Sequence, residues 1–120
     1  RAKRYTSRMH ADLAEAHENL KRPNGLSEHG IAGHAALVTL MTIHKLSPSG
    51  CGFYSPAEWR SRGEEYCLGA ELIVVYDGGG LGECLQMRAA HFEETQAAFD
   101  ALGIYSEEGT HWYAGIYVRD

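Results

Sequence analysis

Ala70-Glu71-Leu72-Ile73-Val74-Val75-Tyr76-Asp77-Gly78-Gly79 decides the fold. Four bulky aliphatic residues follow one another with no polar break, and three of them are β-branched. A half-exposed strand alternates apolar and polar side chains, whereas an unbroken apolar run has both faces covered. Residues 70–76 are therefore read as a central strand, ended by Asp77 and the glycines after it. The run is also the longest bulky apolar stretch of the chain, far below the ~20 residues of a membrane-spanning helix.

Downstream, Leu81 to Met87 reads as a second, returning strand. Ala89 to Leu102 reads as an amphipathic helix with Phe92, Gln96 and Phe99 on its inner stripe and Gly103 as the residue that ends it. Ile104-Tyr105 opens another strand, Glu107-Glu108-Gly109 turns it, and His111 to Val118 returns. In that last strand Trp112, Ala114, Ile116 and Val118 are expected to face the core, with His111, Tyr113 and Tyr117 in a row on the other face.

Upstream, Ser55-Pro56-Ala57-Glu58 is the sharpest local signal. Ser stands at the N-cap, Pro at the first helical position and Glu three residues after the cap, which is a capping box. The short helix it starts carries Trp59 and ends by Gly63. Ser47-Pro48-Ser49-Gly50-Cys51-Gly52 is a loop by composition. Residues 35–46 are apolar on nearly every side; their length favours a buried helix, although Val38, Thr39, Thr42 and Ile43 favour a strand. We read a helix there, with Ser27 as N-cap, Glu28 in the first turn, and Gly30 and Gly33 delaying its start. A first helix is expected from Thr6 or Ser7 to about Leu20, with Met9, Leu13, Ala16 and Leu20 as its stripe and Pro23-Asn24-Gly25 as its stop. The sum is a single α+β domain over residues 1–120: a small, largely antiparallel sheet from the C-terminal half, with helices packed on one face.

Length and charge narrow the function classes. A chain of 120 residues builds one core without metals or disulfide staples. Eleven basic against sixteen acidic residues give a net charge of −5, and the basic cluster Arg1, Lys3, Arg4 and Arg8 is confined to the start. Nucleic-acid binding by phosphate neutralisation is disfavoured on that surface, and −5 is an ordinary solubility charge rather than a duplex mimic. Cys51, Cys67 and Cys84 are odd in number and form no C-x-x-C pair, so neither a disulfide framework nor a zinc ribbon is indicated. Arg1 to His10 lacks the apolar run of a secretory leader, and the expected compartment is a reducing cytoplasm.

Three constellations invite chemistry. Asp77 followed by Gly78-Gly79-Gly80-Leu81-Gly82 invites a phosphate loop, but G-x-G-x-x-G fails in register at Glu83 or Leu85, and no Lys-Ser/Thr follows. The structural alternative is a turn that needs glycine dihedrals. The seven histidines include His10 and His17 on one helix, His29 and His34, and His91 with Glu94, but no trio at recognised ligand spacing. No metal and no cofactor are therefore expected. A cysteine nucleophile would need a histidine beside it in space, and no local signature marks one.

The stretch 70–79, with Ala101-Leu102-Gly103-Ile104-Tyr105 and Glu107-Glu108-Gly109-Thr110-His111-Trp112-Tyr113-Ala114-Gly115-Ile116-Tyr117, resembles a group of small bacterial proteins carried by phages, plasmids and integrative elements. The likeness covers the C-terminal half, and Gly80 stands where Asp is common in that group. It implies a mobile-element accessory protein in a bacterial cytoplasm and carries no catalytic residues. The leading expectation is a non-enzymatic module that binds a bacterial or phage protein, or a second copy of itself. Its contact residues would be His111, Tyr113 and Tyr117, with Asp77, Gly78 and Gly79 as a further candidate site. The alternative is a small enzyme or ligand-binding domain that uses the Asp77–Gly82 loop with Cys84 and a histidine.

Overall fold

The computed structural model of the chain describes residues 17–120. The first expected helix, with its cap at Thr6 or Ser7 and its stripe Met9, Leu13 and Ala16, lies outside these residues except for its end. Residues 17–19 are helical, and the chain turns at Gly25 with φ +76°.

Ser27 caps the next helix, α1 (Glu28–Ile43): its hydroxyl accepts from the Gly30 amide at 3.1 Å. Gly30 and Gly33 do not delay this helix but lie inside it. The reason is close approach. A Cβ on Gly30 would stand 2.5 Å from the Glu71 carbonyl oxygen, and one on Gly33 would stand 3.3 Å from Ile116 and 3.4 Å from Ile104. Each glycine costs the helix about 1 kcal/mol relative to alanine, offset here by letting α1 lie directly on the sheet. The helix ends at Ile43, because Lys45 adopts φ +51° and the Leu46 amide bonds back to the Met41 carbonyl at 3.0 Å.

After the Ser47–Gly50 loop comes β1 (Gly52–Tyr54), which is too short for any periodicity to announce. The capping box then forms as read: the Ser55 hydroxyl accepts from the Glu58 amide at 3.1 Å, and the Glu58 carboxylate accepts from the Ser55 amide at 3.0 Å. It starts α2 (Pro56–Ser61), whose Trp59 is fully buried and donates its indole N–H to the Tyr66 carbonyl at 3.0 Å.

The decisive run is β2 (Leu72–Val75). The sheet order is β1-β2-β4-β3, entirely antiparallel, so β2 is interior, between β1 and β4 (Tyr113–Val118). Leu72 and Val74 face a core built with Leu37, Phe53, Phe99 and Ile116. Ile73 faces the opposite side, packed with Trp59, Ala70 and Tyr113. Leu72, Ile73 and Val74 have no exposed surface, as two-sided coverage requires.

Leu81–Met87 does not return as a strand. It forms a single turn of helix, α3 (Gly82–Leu85), which buries Leu81, Cys84 and Leu85 under the next helix. Both edges of β2 are already paired, by β1 and β4, so this segment cannot return beside β2. Helix α4 (Phe92–Ala101) follows, with Thr95 and Phe99 buried and Gly103 at φ +72° behind it.

β3 runs from Ile104 to Thr110, so the hairpin turns at His111-Trp112 and not at Glu107-Glu108-Gly109. Gly109 instead marks an irregularity in the register between Glu108 and Thr110. A Cβ there would collide with the Tyr113 ring at 2.2 Å, so this glycine makes room for a ring rather than a turn. The turn also interrupts the expected alternation. Ala114 and Ile116 face the main core, whereas Trp112 packs into the aromatic cluster and Val118 is exposed. The molecule is thus an α+β domain with a four-stranded antiparallel sheet from its C-terminal part. The long helices α1 and α4 lie on one face, and the short α2 closes one end of the other.

Two variants test this frame. Val74→Asp places an unpaired carboxylate in the core and should abolish cooperative melting; an unshifted melting curve would overturn the burial of β2. Ser55→Ala removes the cap acceptor of α2 and should cost about 1 kcal/mol, several degrees in Tm for a domain of this size. The check is a thermal melt followed by circular dichroism.

Candidate functional site

The glycine loop is a clamp between two loops. Asp77 and Gly78 are exposed at its tip, and Gly78 has φ +83°. Behind them Gly79 and Gly80 press on the Ser47–Cys51 loop. A Cβ on Gly79 would stand 2.2 Å from the Ser49 carbonyl oxygen and 2.5 Å from the Cys51 sulfur, and one on Gly80 would stand 2.7 Å from the Ser47 carbonyl oxygen. Most amides of the loop are engaged within the protein. Gly79 donates to the Tyr76 carbonyl, Gly80 to Ser47 at 2.8 Å, Gly82 to Gly79 at 3.1 Å and Glu83 to Gly80 at 3.0 Å. The Leu81 amide points at the Cys51 sulfur, 3.5 Å away. The helix behind the loop is one turn long, too short to present a useful dipole. Gly79 and Gly80 therefore answer the need for close backbone packing, and Gly78 the need for a left-handed turn residue.

The thiols are poorly placed for nucleophilic work. Cys51 and Cys84 are buried, and burial pushes both thiols above their ordinary range. The Thr95 hydroxyl beside the Cys84 thiol offsets part of that rise. Cys67 is half-buried at φ +63° and packs against the second cluster beside Tyr117. Among the described residues no buried side-chain nitrogen or oxygen lacks a hydrogen-bond partner, so none is left aimed into a cavity.

The face of the sheet opposite α1 and α4 is aromatic. Tyr54, Ile73, Val75, Tyr113 and Tyr117 project on this side, as the strand register requires. Tyr113 was expected as an exposed contact; it is only 4 % exposed, because Trp59 packs on it with ring centroids 5.1 Å apart. Burial raises the pKa of its hydroxyl. Tyr117 is half-buried, its ring lies across Gly115, and it stacks on Tyr105 at 5.6 Å. Burial also raises its hydroxyl, with Cys67 as the next cause. His111 is exposed in the turn beyond Tyr113, next to half-buried Trp112. Arg62 lies over Tyr54 at 4.7 Å and Trp59 at 5.0 Å, and Arg119 over Tyr105 at 5.4 Å. The expected row thus exists as a face, but its open part is Tyr105, Tyr117 and the turn, with Tyr113 serving the core.

On the far side of the molecule three residues meet that no spacing in the sequence joins. His44 ends α1, while His91 and Glu94 stand at the start of α4. The His44 Nε2 donates to Glu94 Oε1 at 2.7 Å, His91 Nδ1 lies 3.9 Å from the same oxygen, and the two imidazoles stack at 3.8 Å. The i, i+3 pair His91–Glu94 was legible; its third member, fifty residues from Glu94, was not.

The clamp reading has a direct test. Gly79→Ala should lower Tm by several degrees, since backbone and a buried sulfur must shift to admit the methyl group, at roughly 1–3 kcal/mol. Inorganic phosphate should leave the wild-type Tm unchanged; stabilisation by phosphate that Gly79→Ala abolishes would restore the anion-loop reading. Comparison of the chain with protein-family models, with curated proteins and with solved structures finds no match.

Proposed function

We propose that this chain is a non-enzymatic protein-binding module whose working surface is the open part of the aromatic sheet face. One observation carries this reading: Tyr105, Tyr117 and Trp112 stay partly exposed on a face that the long helices leave uncovered, with Arg119 laid over Tyr105. Tyrosine, tryptophan and arginine dominate protein–protein hot spots, because they bury large rigid surfaces while their polar tips stay hydrated. The absence of a polar cradle at the glycine loop and the raised thiols of Cys51 and Cys84 speak against the enzyme alternative.

The partner is a bacterial or phage protein, and the setting is a mobile-element accessory role in the cytoplasm, with counter-defence as one form of it. The resemblance of the C-terminal half supports that setting. So do three free cysteines, which suit a reducing compartment. Among the described residues no helix is long and apolar enough to cross a membrane.

The experiment compares capture of host proteins by the wild type and by a Tyr105→Ala/Tyr117→Ala double variant, with quantitative mass spectrometry and a melting curve for each. At about 2 kcal/mol or more per hot-spot residue, the specific partner should fall more than ten-fold in the variant. His111→Ala should weaken capture less, as a rim position. Equal capture by wild type and folded double variant overturns the reading. A dimer that the same double variant dissociates, seen by light scattering, identifies the partner as a second copy.

A further inference from the structure

The cluster on the opposite face supports a separate site. We propose that His44, His91 and Glu94 form a binding site for a divalent transition-metal ion of the zinc class. Three potential ligand atoms, two imidazole nitrogens and one carboxylate oxygen, all lie within 4.8 Å of one another. Two histidines and one carboxylate suit zinc and its neighbours rather than calcium or magnesium, which prefer all-oxygen shells.

The spacing is close to what coordination needs. Ligand atoms held at about 2.1 Å from a tetrahedral ion stand roughly 3.4 Å apart. The two measured separations straddle that value: 2.7 Å from His44 Nε2 to Glu94 Oε1, and 3.9 Å from His91 Nδ1 to the same oxygen. An ion lies in the plane of each imidazole it binds, whereas these rings are only 17° from parallel. Binding therefore turns one ring out of the stack about its own side-chain torsion. The proton that His44 Nε2 now shares with Glu94 leaves for the other ring nitrogen or for water.

The backbones that carry the ligands are already held. The His91 amide donates to the Glu83 carbonyl at 2.9 Å, and its carbonyl accepts from the Thr95 amide at 3.0 Å and the Thr95 hydroxyl at 2.7 Å. The His44 amide donates to the Leu40 carbonyl at 3.0 Å at the end of α1. Thr95 is fully buried, so this end of α4 cannot drift without disturbing the core. The side chains of His44, His91 and Glu94 remain 24 %, 25 % and 49 % exposed, which leaves the ion a path in and a water as its fourth ligand.

The test uses untagged full-length protein, since a histidine tag binds the same ions. Calorimetry with zinc chloride should show one ion per chain with a Kd below about 10 μM. Cobalt(II) should give visible absorption bands of a four- or five-coordinate ion without thiolate charge transfer. His44→Gln, His91→Gln and Glu94→Gln should each weaken binding at least about ten-fold, whereas His111→Gln and Cys67→Ser should not. Glu94→Gln keeps an oxygen acceptor for His44 and so separates loss of a ligand from loss of fold. In the wild type itself, zinc should shift the imidazole proton resonances of His44 and His91 and no others. No saturable zinc or cobalt binding, or binding that survives the two histidine substitutions together, overturns the site.

Discussion

Strand β2 has no wet face and no free edge, and the other elements are arranged around that constraint. Leu72 and Val74 must be covered from one side and Ile73 from the other, while β1 and β4 take up its backbone groups. Fully burying each aliphatic side chain contributes about 1.5–3 kcal/mol. Three such residues at zero exposure therefore match the scale of a whole domain's net stability, about 5–15 kcal/mol. The demand for two covers explains why a chain this small spends α1 and α4 on one side and still needs Trp59 on the other. It also explains why α2, only six residues long, is held by a complete capping box: its task is to keep one indole in place.

Glycine is the device by which these layers approach each other. Gly30 and Gly33 let α1 lie on the sheet, and Gly79 and Gly80 let two loops touch backbone to backbone. Gly109 and Gly115 let the Tyr113 and Tyr117 rings fold flat across the strands. None of these six positions has a left-handed backbone; they are glycine because a side chain would crowd a neighbour. The hydroxyl of Tyr76 shows the same economy of space. It lies 3.3 Å from the carbonyl oxygens of both Thr110 and Tyr113, tying the end of β2 to the hairpin, and burial, followed by the Glu108 charge, pushes its pKa up to about 12.

The two candidate sites fall on opposite sides of the sheet and draw on different chemistry. The aromatic face is assembled from strands, whose fixed register lines up Tyr105 with Tyr117. The histidine cluster is assembled from the end of α1 and the start of α4, where backbone hydrogen bonds and the buried Thr95 hold the main chain that carries the three side chains. Neither shares a residue with the other, so they are free to act independently.

Wherever a pattern is local, it could be read from the sequence. The capping box at Ser55, the cap at Ser27, the stop at Gly103 and the central place of 70–76 follow from propensity and periodicity, which depend on neighbours in the chain. The apolar run 35–46 could likewise be assigned to a helix by its length. The rest depended on packing partners distant in sequence. The Leu81–Met87 segment could not return beside β2, whose two edges were taken, and Gly109 makes room for the Tyr113 ring inside β3 rather than forming the turn. Tyr113 was legible as the sheet face opposite Ala114, but its withdrawal from the surface required Trp59, fifty-four positions earlier, to be placed upon it. His44 joined His91 and Glu94 only when α1 and α4 packed side by side. Side chains on separate elements acquire a distance only through tertiary packing, so the sequence alone determined the caps, the longer helices, the central strand and the α+β class, and tertiary structure decided the short elements and which residues meet.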